Sequence, residues 1–210
     1  MPDLPVGRVI AAIRRRVGPV DTTPKDPFTV LVATLISLRT RDEVTHAAAQ
    51  RLLARAPTAE ALARLDEDTI DRLIYPAGFH RTKARTLRAV ARLLLERHGG
   101  AVPATLDALR ALPGVGLKTA NLVLSRGHGV AAICVDTHVH RIFNRLGHVE
   151  TAHPDETEAA LRGRLPRRYW IEVNELLVRF GQQVCTPLSP RCSTCPVARW
   201  CARVGVGRSR

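Results

Sequence analysis

The stretch Leu112-Pro113-Gly114-Val115-Gly116-Leu117-Lys118-Thr119-Ala120 decides the architecture. It joins two segments with helical periodicity. Pro113 cannot continue a helical hydrogen-bond ladder, so it stops the first segment. Gly114 and Gly116 permit a tight reversal and leave no side chain between backbone and ligand. The second helix then starts with unpaired amides and the positive end of its dipole, which together bind phosphate. An ordinary packing corner has the same pattern, so Gly-x-Gly alone leaves both readings open.

The chain is helical on either side of this corner. Val6, Val9, Ile10, Ile13 and Val17 mark one helix face, and Phe28 to Leu38 reads as a buried helix. Asp42 is the expected N-cap of a helix over Glu43 to Ala54. Shorter helices are expected over 58–65 and 67–74, and Tyr75-Pro76-Ala77-Gly78 breaks the pattern. A long helix over 81–98 ends at Gly99-Gly100. Further helices are expected over 105–111, 118–126, 137–146, 155–162 and 169–182. No stretch alternates as a strand does, so the fold class is all-α.

Charge points to the partner. The 210 residues hold 32 Lys and Arg against 19 Asp and Glu, a net charge of +13, which suits a polyanion such as nucleic acid. Lys25, Lys83 and Lys118 are the only lysines, so chemistry that needs an amine has three candidates. No apolar run reaches the roughly 18 residues of a membrane span. The segment before Pro19 lacks the apolar core of a secretion signal. An intracellular place, in the cytoplasm or nucleoid, is expected.

Four of the five cysteines, Cys185, Cys192, Cys195 and Cys201, fall in the last 26 residues, with six, two and five residues between them. In a chain without a secretion signal this favours a metal site over disulfides, and the spacing admits zinc or iron–sulfur. Cys134 stands apart and is expected in the core.

Leu112–Ala120, followed by Val135-Asp136-Thr137-His138 and the four cysteines, resembles the endonuclease III family of helix-hairpin-helix DNA glycosylases. The resemblance runs from about Pro27 to Cys201. It implies two helical lobes. One, over 20–130, has six helices and carries the helix-hairpin-helix; the other joins 1–19 to 131–210 and carries a [4Fe-4S] cluster on Cys185, Cys192, Cys195 and Cys201.

The resemblance also implies a bifunctional glycosylase and abasic-site lyase acting on oxidised pyrimidines. Lys118 would attack the sugar C1′ and form a Schiff base, with β-elimination following. Asp136 would accept a proton and stabilise the cationic sugar. Asp136 is also a natural N-cap for the helix beginning at Thr137. The expected partner is double-stranded DNA with damaged bases or abasic sites, bound by a monomer.

DNA contacts are expected from Gly114, Gly116 and Arg191. Two loops, 38–42 and 78–81, would fill the gap left by a flipped nucleotide, through Arg39 and through Phe79 or His80. Bacterial relatives commonly carry Gln where Arg39 stands; Ser37-Leu38-Arg39 is closer to the archaeal pattern. His138 and His140 are expected to pack or contact phosphate rather than bind metal. The alternatives are a mismatch-specific glycosylase, which the presence of Lys118 and the nine residues after Cys201 weaken for the adenine-removing kind, and a non-catalytic DNA-binding module.

Overall fold

The computed structural model describes residues 4–210, and among these every regular element is helical. The α-helices are α1 (Val6–Val17), α2 (Pro27–Ser37), α3 (Asp42–Arg55), α4 (Ala59–Arg64), α5 (Glu67–Ile74), α6 (His80–His98), α7 (Leu106–Arg110), α8 (Leu117–Leu122), α9 (Thr137–Leu146), α10 (Pro154–Arg164) and α11 (Val173–Gln183). The chain divides into two compact units, one over 23–130 and one formed by 1–22 with 131–210.

In the central unit, α2 is apolar all round and is buried through Phe28, Val30, Leu31, Val32, Leu35 and Ile36. A helix with no polar face must be enclosed, and α3, α6 and α8 pack on it. Its start is set by Asp26, whose carboxylate accepts from the Thr29 amide at 2.7 Å, with Pro27 at the first helical position. Asp66 caps α5 in the same way through the Thr69 amide at 2.6 Å. At the far end of α6, Gly99 is left-handed (φ 58°) and the Gly100 amide donates to the Leu94 carbonyl at 2.9 Å, a glycine stop.

In the unit formed by the two chain ends, α1 lies against α11, and α11 against α9. Val9, Ile10 and Ile13 of α1 enter one core with Ile142, Phe143, Leu161, Leu177 and Phe180. Each such side chain, taken fully from water, contributes roughly 1.5–3 kcal/mol. Cys134 is 1% exposed in this unit.

Helix ends shift by a residue or two from the sequence reading in several places, and three differences have a visible cause or cap. Asp42 is the first residue of α3 rather than its cap; Arg41 holds that place with no side-chain bond. The helix after the hairpin is α only to Leu122, and Val123–Gly127 continue it as a π turn. There Gly127 sits so close to Pro27 that a Cβ would lie 3.0 Å from the Pro27 Cα, and the wider turn brings the two backbones together. The last long helix starts at Val173, not Tyr169, because Arg167–Tyr169 after Pro166 form a 3-10 turn.

Candidate functional site

The reversal between α7 and α8 is held by two apolar pegs. Leu112 and Val115 are 4% and 6% exposed, and the Val115 amide donates to the Leu112 carbonyl at 3.2 Å. The helix before it ends at Arg110, ahead of Pro113. Gly114 has φ 74°, and a Cβ there would lie 3.0 Å from the Thr86 Cγ2. Gly116 differs: its φ is −86° and a Cβ would meet open space. Glycine is thus required at 114 by the fold, while Gly116 leaves clearance at the surface. No side chain caps α8. Its second residue, Lys118, is exposed, whereas Thr119, Ala120 and Asn121 are buried.

The two other lysines are placed differently. Lys25 is exposed in the loop before α2, with its amide bonded to the Arg126 carbonyl at 2.8 Å. Lys83 is only 8% exposed, and its ammonium donates to the Ile36 and Leu38 carbonyls at 2.6 Å and to Thr40 Oγ1 at 2.7 Å. Burial pulls its pKa below the usual lysine range.

The two expected gap-filling loops meet. Arg39 and Phe79 are both left-handed, with φ 53° and 57°. The Arg39 guanidinium carbon lies 5.4 Å from the Phe79 ring centroid. A Cβ on Gly78 would collide with the Arg39 carbonyl oxygen, so glycine is needed there for the loops to touch. Phe79 is 62% exposed and is no core residue. His80 is tied down instead: its Nδ1 lies 2.5 Å from Asp71 Oδ1, and Tyr75 meets it edge-on at 5.3 Å. Leu35, Leu38, Arg39, Phe79, Lys83 and Gly114 are among the residues lining a pocket of about 380 Å³.

In the other unit, Asp136 caps α9. Its Oδ1 accepts from the His138 and Val139 amides, both at 2.9 Å. His140 Nδ1 lies 2.7 Å from Thr157 Oγ1, and His138 Nδ1 lies 3.1 Å from an Arg141 nitrogen, so both rings are in packing networks.

At the other end of α9, Cys185, Cys192, Cys195 and Cys201 line one pocket with Ile142, Leu146 and Val184. Burial pushes the Cys195 and Cys201 thiols up, and the other cysteines raise them further. The 8% exposed Arg145 donates to Cys185 Sγ at 3.4 Å and to the Thr186 and Pro187 carbonyls at 2.8 and 2.7 Å. Cys201 Sγ donates to the Arg145 carbonyl at 3.3 Å. Among the described residues, no three His, Cys, Asp or Glu side chains form a single-ion site. Four thiols on one largely apolar pocket with a buried cation beside it suit an anionic thiolate-bound group. Arg191 is exposed, with its amide donating to the Val184 carbonyl at 2.9 Å.

The Lys83 and Arg145 arrangements were not found in the sequence. Most of their acceptors are main-chain carbonyls more than 40 positions away, which leave no residue-type signal.

Comparison with known proteins gives concordant results. Residues 32–167 match the HhH-GPD superfamily base excision DNA repair protein family. Endonuclease III of Thermotoga maritima is 45% identical over 176 residues, covering 84% of this chain and 83% of that protein. Endonuclease III homolog 1, chloroplastic, of Arabidopsis thaliana is 46% identical over 183 residues; the chain spans 48% of its length. The structure of a trapped endonuclease III–DNA covalent intermediate, an estranged-adenine complex, superposes with a TM-score of 0.85 at 29% identity over 94% of both chains. No described helix is long and apolar enough to cross a membrane. The hairpin and Asp136 both fall inside the matched span, and the chain belongs to the endonuclease III family of the HhH-GPD superfamily.

Proposed function

We propose that the protein is a bifunctional DNA glycosylase and abasic-site lyase that excises oxidised pyrimidines from double-stranded DNA, acting as a monomer in the cell interior. The observation that carries this reading is the exposed Lys118 one residue into α8, directly behind a glycine reversal with open space at Gly116. Lys83 is buried, and its three ammonium protons go to the Ile36 and Leu38 carbonyls and to Thr40 Oγ1. The covalent DNA intermediate of the structural relative supports the same chemistry.

In this reading the neutral Lys118 amine attacks C1′ of the damaged nucleotide. The glycosidic electron pair and a proton leave with the base. The resulting N,O-acetal opens to an iminium as the C1′–O4′ bond breaks and O4′ takes a proton, and loss of the C2′ proton then expels the 3′ phosphate. Asp136 takes the proton from the attacking amine and stabilises positive charge on the sugar. Oδ1 is engaged by the helix amides, so Oδ2 is the oxygen for that proton. The amides at the start of α8 and the open backbone at Gly116 hold a phosphate. The +13 charge supplies affinity that falls with salt. Arg39 and Phe79 occupy the space left by the flipped nucleotide, His80 stiffens that loop, and Arg191 contacts the backbone.

Cys185, Cys192, Cys195 and Cys201 would hold a [4Fe-4S] cluster. Such a group braces the 185–201 segment by thiolate bonds, and Arg145 is placed to offset its negative charge.

Borohydride trapping tests the reading. Duplex DNA with thymine glycol or an abasic site is incubated with the protein and reduced. The expected result is a protein–DNA crosslink with both substrates that disappears in Lys118→Ala. Undiminished crosslinking by that variant, or none by the wild type, overturns it.

A further inference from the structure

A buried lysine with no carboxylate partner needs another reason to stay charged. Lys83 reaches from α6 into the end of α2, where the Ile36 and Leu38 carbonyls belong to the negative end of the helix dipole. Its third proton goes to Thr40 Oγ1, in the loop that carries Arg39. That hydroxyl also accepts from the Gly78 amide at 3.1 Å, beside Phe79, and donates to the Leu38 carbonyl at 3.4 Å. A threonine hydroxyl has two acceptor sites and one proton, and all three are used. One ammonium and one hydroxyl therefore bind the end of α2, loop 38–41 and the Gly78 turn into a single polar knot.

Next to this knot in the chain, beside Thr40 and Gly78, are two strained residues. Left-handed backbone is costly for any side chain with a Cβ, roughly 1–2 kcal/mol per residue. Arg39 and Phe79 both hold it, in contact with each other. Such strain persists only where the surroundings over-determine it. Here Lys83 and Thr40 fix the residues on either side.

We propose that Lys83, acting through Thr40, is the positioning residue that holds Arg39 and Phe79 together as a rigid two-residue probe for the unpaired base of double-stranded DNA. The inference rests on the glycosylase reading but concerns a step before chemistry. Without the knot both residues relax to ordinary backbone conformations and separate, and the partner base is left stacked. Neither Lys83 nor Thr40 touches the DNA.

The test uses a duplex with 2-aminopurine opposite a tetrahydrofuran abasic analogue, which binds but cannot react. Binding is followed by anisotropy and partner-base unstacking by 2-aminopurine fluorescence. Wild-type protein raises the fluorescence, and Phe79→Ala, which removes the wedge, abolishes the rise. Lys83→Met and Thr40→Val keep affinity within about threefold, because phosphate contacts dominate it, yet lose most of the rise. Thr40→Ser keeps the hydroxyl and restores it. Should Lys83→Met not fold, Thr40→Val decides alone. A full rise with Thr40→Val, or no rise with the wild type, overturns the proposal. The Lys118-dependent crosslink is scored separately, so a failed lyase reading and a failed positioning role give different results.

Discussion

The Arg145 guanidinium lies 3.4 Å from Cys185 Sγ, inside a pocket lined by four cysteines. The same group closes two carbonyls of the following loop, Thr186 and Pro187. Arg145→Met leaves those carbonyls unpaired and removes the cation. The expected cost is about 2–3 kcal/mol of unfolding free energy, with faster loss of iron from protein purified in the loaded form. Urea unfolding and iron content on dialysis against a chelator check this. Unchanged values for both would show Arg145 to be dispensable.

Asp136 combines a cap with the proposed chemistry, and two substitutions separate them. Asp136→Asn retains an oxygen for the His138 and Val139 amides, so its melting temperature stays near that of the wild type. Its single-turnover base excision falls about 10²–10⁴-fold, the usual contribution of a proton-transfer group. Asp136→Ala loses the cap as well and is less stable by a further ~1 kcal/mol. Full excision by Asp136→Asn would reduce Asp136 to a structural role.

The two hairpin glycines should respond oppositely. Gly114→Ala forces a Cβ onto a left-handed residue 3.0 Å from Thr86, at a cost of about 1–2 kcal/mol read by thermal melting. Gly116→Ala meets open space and should change stability by no more than ~0.5 kcal/mol. Its methyl group faces the proposed phosphate path, so DNA affinity should weaken about tenfold, or 1.4 kcal/mol. Equal affinity for Gly116→Ala and wild type would remove that path.

Lys83 gives a pH signature. Burial lowers its folded pKa below the ordinary lysine value of 10.5. The unfolded chain therefore binds more protons than the native one between the two pKa values, and stability from this group rises with pH across that window, below 10.5. Below the folded pKa the contribution is flat. Lys83→Met should lose this rise, seen as a smaller slope of unfolding free energy against pH on the alkaline side. Parallel slopes for the two proteins would contradict it.

Much of the fold was readable because it depends on nearby residues. The apolar face of α1, the cap at Asp136 and the glycine stop at Gly99 all act within one or two helical turns. The α/π change at Val123 was not readable, since it depends on Gly127 meeting Pro27 across the unit. The start of α11 also moved: Tyr169 continues the apolar pattern, yet Pro166 sets a 3-10 turn before it. At the candidate site, Lys118, Asp136 and the four cysteines stood out by residue type and order. Lys83 did not, because an isolated lysine carries no mark of burial and its acceptors come from a different helix end. The contact between Arg39 and Phe79 was hidden for a similar reason: left-handed backbone at a non-glycine residue has no sequence signature.

The pairing of α1 with α11 has a consequence for biosynthesis. Arg14 of α1 meets Glu172, just before α11, at 2.6 Å across 158 positions of sequence. At a ribosome adding roughly 5–20 residues per second, α1 waits about 8–30 s for that partner. For most of that interval Val9, Ile10 and Ile13 lack the α9 and α11 side chains of their core, while the whole of 23–130 has already been made and can fold. α1 is therefore made before the whole of 23–130 yet finds its place after it, and a nascent chain stalled near residue 150 should show its α1 stripe to a chaperone that binds apolar segments.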